Sequence, residues 1–210
     1  MCVTRVNEKT NEIPVFRDML DFLDIKGKII TADAMACQKE TVAKIIEKEC
    51  DYCIGLKGNQ GTLHKDVQLY FEQMPDQNLY EVASTSEKSR DRCEKRICHV
   101  FKDISWLEQK PEWRGLKSII AVHRITEKAG IRTDEVSFYI SSLEKSPAEF
   151  LNIIRNHWQI EVLHWCLDVI FNEDGCLLQN TNAQLNLNLW RKFALSVHKN
   201  FKTKHRARKA

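Results

Sequence analysis

The chain is poor in the residues that break structure. Its 210 residues include 4 prolines and 7 glycines, which excludes a collagen-like or linker-rich architecture. It lacks any run of eighteen apolar residues, so no membrane-spanning helix and no membrane partner are expected. Its first residues, Met1 to Lys9, turn polar at once. They hold no apolar stretch of leader length, and a cytoplasmic protein is expected. It also lacks a strong charge of one sign. Lys plus Arg number 32 against 29 Asp plus Glu, a net +3, too mild to establish a nucleic-acid partner. No internal repeat or low-complexity segment is present. What is there is an apolar fraction of 43%, enough to bury a globular core.

Eight cysteines stand at 2, 37, 50, 53, 93, 98, 166 and 176. Without a secretory leader their even number does not imply disulfides. Cys50 and Cys53 form a C-x-x-C, and Cys93 and Cys98-His99 follow about forty residues on. The second pair has the wrong spacing for a zinc knuckle. Cys53 also lies in an apolar run that reads as a strand. Small buried thiols are the expectation, with zinc at Cys50/Cys53 left open.

Apolar periodicity predicts the elements. Residues 13–23 read as a helix, with Pro14 suited to its first turn. Lys28 to Asp33 reads as a buried strand with Asp33 at its carboxyl end. A second amphipathic helix spans 38–49 and a second strand 51–56. A polar turn follows at 57–61, then a helix from 63 to 73. This order is that of an α/β domain with parallel strands. Between Tyr80 and Leu143, strands are predicted at 96–101, 118–123 and 136–140, with Ser84 to Arg92 a polar loop. Pro147 opens a long helix, with Ser146 its cap, running to about Phe171. A last helix covers 186–200, and the tail carries Lys199, Lys202, Lys204, Arg206, Arg208 and Lys209.

The long helix holds the densest chemistry. At about 100° per residue, His157, Glu161, His164 and Asp168 fall within roughly 60° on one face. Trp158 and Trp165 flank them. Buried, mutually hydrogen-bonded polar groups account for this stripe as well as metal or acid–base ligands do. One helix cannot close a metal site, so a carboxylate from elsewhere is needed. Asp33 is the natural candidate, because ligands gather at the carboxyl ends of parallel strands. Two carboxylates of this kind suit Mg2+ and phosphoryl transfer. Taken alone, a strand-end Asp is more readily a cap or turn residue.

A set of motifs runs through nearly the whole chain: Thr31-Ala-Asp33-Ala-Met35, Cys37-Gln-Lys-Glu40, Asp51-Tyr52, Leu56-Lys-Gly-Asn-Gln60, Arg92-Cys-Glu94-Lys-Arg96, Trp106-Leu107, Trp113 with Gly115-Leu116, Tyr139 to Leu143, His157-Trp-x-Ile-Glu161, Leu163-His-Trp165 and Leu167-Asp-Val169 with Phe171 and Glu173-Asp174. Together they resemble the insertion-sequence DDE transposases, in the branch of the H-repeat-associated proteins.

The resemblance implies an α/β fold with an RNase H-like core, incomplete because its early strands are missing, and a β-rich insertion. The expected divisions are 1–79 for the first part of the core, 80–143 for the insertion, 144–198 for the helical remainder with Glu161, and 199–210 for a basic tail. It implies DNA transposition by Mg2+-dependent strand cleavage and transfer. The second catalytic and metal-binding Asp would be Asp33 and the Glu would be Glu161, with Glu173 a lesser candidate. Lys57, Asn59 and Gln60 would approach nucleic acid from the strand-end loop, and Lys202, Lys204, Arg206 and Arg208 from the tail. DNA at element ends would be the partner, together with a missing amino-terminal fragment or a homo-oligomer.

The match departs from the family in three places. The family's first catalytic Asp has no counterpart here. About three residues are lacking before Pro14. One residue is lacking between Glu161 and Leu163-His-Trp165, which turns one part of the helix by about 100° relative to the other. The expectation is therefore a truncated transposase, inactive alone. A non-catalytic DNA-binding remnant is the alternative, and an unrelated metalloenzyme using the His-Glu-His-Asp stripe is the more distant one. Loss of the early strands would leave an exposed sheet edge bearing Ile29 and Ile54.

Overall fold

The computed structural model describes residues 12–73, 80–89, 92–173 and 175–207, with the side chains of 159, 161, 181 and 199–207 outside that description. The described residues divide into two compact units, 12–157 and 158–207.

In the first unit the expected alternation holds. Helix α1 (Glu12–Phe22) precedes strand β1 (Ile29–Ala32), helix α2 (Lys39–Glu47), strand β2 (Asp51–Leu56) and helix α3 (Gly61–Gln73). β1 and β2 pair in parallel, Ile29 against Asp51 through Ala32 against Ile54. Four longer strands follow: β3 (Glu81–Ser89), β4 (Arg92–Phe101), β5 (Ser118–Lys128) and β6 (Ile131–Ser141). They form an antiparallel meander, and β6 pairs antiparallel with β2. One six-stranded mixed sheet results, in the order β1-β2-β6-β5-β4-β3.

The strand alternation sorts side chains onto two faces. One face carries Tyr52, Ile54, Leu56, Phe101, Ile119, Ala121, Phe138 and Ile140, and packs with Leu20 of α1, Val42 and Ile45 of α2, and Leu63 and Val67 of α3. The other carries Cys53, Cys98, Val100, Ile120 and Val122. It is covered by Phe150, Leu151 and Ile154 from the first turns of helix α4 (Pro147–Trp165). Ser146 and Glu149 make a reciprocal capping box at the start of α4: the Ser146 N–H donates to Glu149 Oε2 at 3.0 Å and Glu149 N–H to Ser146 Oγ at 3.4 Å. With Lys145 also on its carboxylate, Glu149 titrates well below the usual range, near 2.

Two expectations are corrected here. Residues 84–89 are not loop but the body of β3, paired with β4 from Glu81–Val100 to Ser89–Arg92. β3 is an edge strand exposed on both faces at nearly every position, so it shows no apolar alternation to read. The sheet has β3 at one edge, and of the two parallel strands only β1 lies at an edge. Ile29 there is 38% exposed, whereas Ile54 is fully buried because β6 covers the far side of β2.

In the second unit α4 runs on to Trp165 and passes into a π-helical turn, Cys166–Ile170. Asn172, in the left-handed region at φ 48°, ends it. Helix α5 (Thr181–Ala207) is the last described element.

Candidate functional site

β1 delivers Asp33 to its carboxyl end. Ala32 is buried, and Asp33 follows in extended backbone and caps a short 3-10 turn, Ala34–Ala36, its Oδ1 accepting from the Met35 N–H at 3.2 Å. The carboxylate itself is exposed, a hard oxygen donor of the kind that suits a divalent cation.

Three features hold this loop. Asn59 Nδ2 donates to the Ala34 carbonyl at 2.6 Å. Gln60 Nε2 donates to the Cys37 carbonyl at 2.8 Å and to Gln38 Oε1 at 3.3 Å. Gly55, in the middle of β2, lets the loop approach closely: a Cβ there would stand 3.3 Å from Ala34 N and 3.6 Å from the Asp33 carbonyl carbon. Glycine in a strand commonly marks such an approach. That signal was legible at Gly55, but no partner could be named without the fold. Asn59 and Gln60 thus use their amides on the loop's own backbone, while Lys57 is exposed beside them.

His157, the last residue of the first unit, brings α4 to β1. Its Nδ1 lies 3.2 Å from Thr31 Oγ1. Thr31 and Asp33 are two residues apart, so their side chains leave the strand on the same side. The structure therefore gathers Asp33, Thr31, His157, Asn59 and Gln60.

Glu161 lies in α4, with its side chain outside the described residues. Asp168 sits in the π turn Cys166–Ile170, where each residue advances by a smaller angle than in an α-helix. Asp168 and His164 are exposed. Glu173 is engaged with α5, its Oε1 accepting from Asn188 Nδ2 at 2.5 Å and lying 3.8 Å from Arg191. The tail residues Lys202, Lys204 and Arg206 fall in α5 but their side chains lie outside the described residues, as does all of Arg208.

The C-x-x-C cannot chelate as a pair. Cys50 belongs to the core on one face of the sheet and Cys53 to the core on the other, because an odd spacing in a strand reverses the side. The seven described cysteines are free thiols. Burial pushes Cys37, Cys53 and Cys98 up to about 12, which keeps them neutral and unreactive.

Comparison with known proteins identifies the family. The family model described as the transposase DDE domain matches residues 1–197. The chain is 40% identical over 190 residues to "H repeat-associated putative transposase YhhI" of Escherichia coli (strain K12), covering 85% of this chain and 49% of that protein. It is equally similar, 40% over 190 residues with the same coverage, to "Putative protein YbfL" of the same strain. To "Putative transposase YncI" of Escherichia coli O157:H7 it is 36% identical over 200 residues, covering 92% of this chain and 51% of that one. The chain belongs to the DDE transposase family, in the branch of the H-repeat-associated proteins. Its mixed α/β sheet accords with the RNase H-like fold expected of that family. The chain spans about half the length of these curated relatives. Members of the family generally work with divalent metal ions. Among the described residues no helix is long and apolar enough to cross a membrane.

Proposed function

We propose that these 210 residues form a DNA-binding part of a transposase and contribute two of the three acids that Mg2+-dependent strand cleavage and transfer require. Asp33 and Glu161 are the two, and they would hold Mg2+ through carboxylate oxygens. Such an ion activates a nucleophile and stabilises the leaving oxygen when bound. The observation that carries the reading is the setting of Asp33. It stands exposed at a parallel strand end, on a loop clamped by Asn59, Gln60 and the closeness that Gly55 permits. His157 is hydrogen-bonded two residues before it.

DNA at element ends is the proposed substrate, met in the cytoplasm. α5 supports this with Arg191, Lys192, Lys199, Lys202, Lys204 and Arg206 and no acid in its 27 residues. Arg208 extends the series, and Lys57 would add a contact beside Asp33. Asn59 and Gln60 would contribute by holding the loop. A homo-oligomer, or a fragment bearing the third acid, would complete the catalytic set.

The test joins metal binding to strand transfer. Mn2+ titrated into the unmodified chain should bind weakly, and Asp33→Ala and Glu161→Ala should each weaken it further. No cleavage or joining of donor-end DNA is expected in Mg2+ or Mn2+. Activity in the unmodified chain that both substitutions abolish would overturn the inactive reading. It would make Asp168 the first residue to try as the third acid.

A further inference from the structure

α4 meets β1 through a side-chain hydrogen bond, His157 Nδ1 to Thr31 Oγ1 at 3.2 Å. The helix does not need this bond to hold its place. Phe150, Leu151 and Ile154 already seat it on the sheet, and Ser146 and Glu149 cap its start. The backbone stays extended from β1 through Asp33. Thr31 and Asp33 therefore project from the same side, about 7 Å apart along the chain. The bond fixes the His157 ring at that separation from the position of the acid.

His157 is half-buried. Its two ring nitrogens point in divergent directions, so with Nδ1 on Thr31 the Nε2 is turned away from the strand. That nitrogen has no partner among the described residues. A threonine hydroxyl donates as well as accepts. Where Thr31 donates to Nδ1, the ring proton stands on Nε2. An N–H held in this way suits an anionic oxygen.

We propose that His157 is a substrate contact of this site, its Nε2–H donating to a non-bridging phosphate oxygen of DNA beside Asp33. Thr31 is its positioning residue, setting both the direction of the ring and its tautomer. The inference rests on the reading that the chain acts on DNA at Asp33. It adds the protein group that holds the phosphate, while the carboxylate serves the cation. Such a contact places the backbone and reads no base.

The two amide side chains each copy one half of the imidazole, and the test uses that. His157→Asn puts an amide nitrogen where Nδ1 was and removes Nε2. His157→Gln puts one where Nε2 was and gives up Thr31. Binding of a fluorescein-labelled linear DNA duplex to the full chain is measured by anisotropy at one salt concentration, with melts to verify folding. His157→Asn should lose about tenfold in affinity, the scale of one hydrogen bond to a charged group. His157→Gln should stay within about threefold of the unmodified chain. Thr31→Val, which keeps the ring but not its support, should fall between them. Long-range 1H–15N spectra of the unmodified chain should show the His157 Nε2 resonance moving on addition of the duplex, and Nδ1 moving less. If His157→Asn does not fold, that spectrum decides, and an unmoved Nε2 would overturn the inference. Equal losses from His157→Asn and His157→Gln, or no loss from His157→Asn, would also overturn it and leave the DNA reading standing. Absence of binding by the unmodified chain would overturn both.

Discussion

The two units use apolar residues in opposite ways. Residues 12–157 bury theirs on both faces of a sheet, with Tyr52, Ile54, Phe101, Trp113, Ile120 and Phe150 at 1% exposure or less. In the segment from 158, Leu167 is the one buried apolar residue among those described, while Trp165, Val169, Trp190 and Phe193 are each more than half exposed. Both segments contain amphipathic helices. What separates them is the sheet, which offers α1 to α4 two flat apolar faces to cover. A helix acquires most of its stability from such a partner and little from its own propensity.

The largest test of this contrast is a pair of truncations. Phe150→Ala removes a ring enclosed under α4 and should cost about 3–5 kcal/mol, enough to leave the protein partly unfolded. Phe193→Ala removes the same ring from an exposed face of α5 and should cost less than about 0.5 kcal/mol. Urea melts followed by circular dichroism would measure both. Equal losses would mean that α5 is as well packed as the sheet.

A smaller effect is expected where the first unit meets the candidate site. Gly55→Ala places a methyl 3.3 Å from the Ala34 nitrogen. The loop must shift, at about 1–3 kcal/mol. Mn2+ affinity should fall along with stability, since the loop that moves carries Asp33. A variant with lower stability and unchanged metal affinity would detach Gly55 from the site.

The smallest effect is a pH dependence. His99 of β4 is 7% exposed, enclosed by the rings of Phe71 and Tyr80, and its pKa is lowered by burial and then by nearby His123. A lowered histidine pKa means that the unfolded chain binds the proton first. Stability is therefore fully present above the ordinary value of about 6.5 and declines as pH falls below it. Thermal melts between pH 7.5 and 5.5 should show the decline, and His99→Phe should flatten it. Asp134, lowered by Arg132 and His123, sits on the surface and titrates below this window.

Much of the fold was legible where one period dominated. β1, β2, α2 and α3 lie within one or two residues of the positions their apolar spacing predicts. Asp33 was legible as a strand-end acid for the same reason. β3 was not, because a strand exposed on both faces has no reason to alternate. The companions of Asp33 were hidden for another reason. Asn59 and Gln60 read as a polar turn, and their bonds to Ala34 and Cys37 join residues more than twenty positions apart.

The sequence by itself determined the helices and parallel strands of the first unit, the place of Asp33 at the end of β1, and membership in the DDE transposase family. These are local spacings and residue identities, which one dimension carries in full. Only the tertiary structure decided that β6 lies against β2 and so buries Ile54, that Cys50 and Cys53 face opposite ways, that His157 meets Thr31, and that Arg96 and Arg124 stand side by side. Each depends on which strand or helix pairs with which. That choice is settled by burying whole faces at once, and no short stretch of chain contains it.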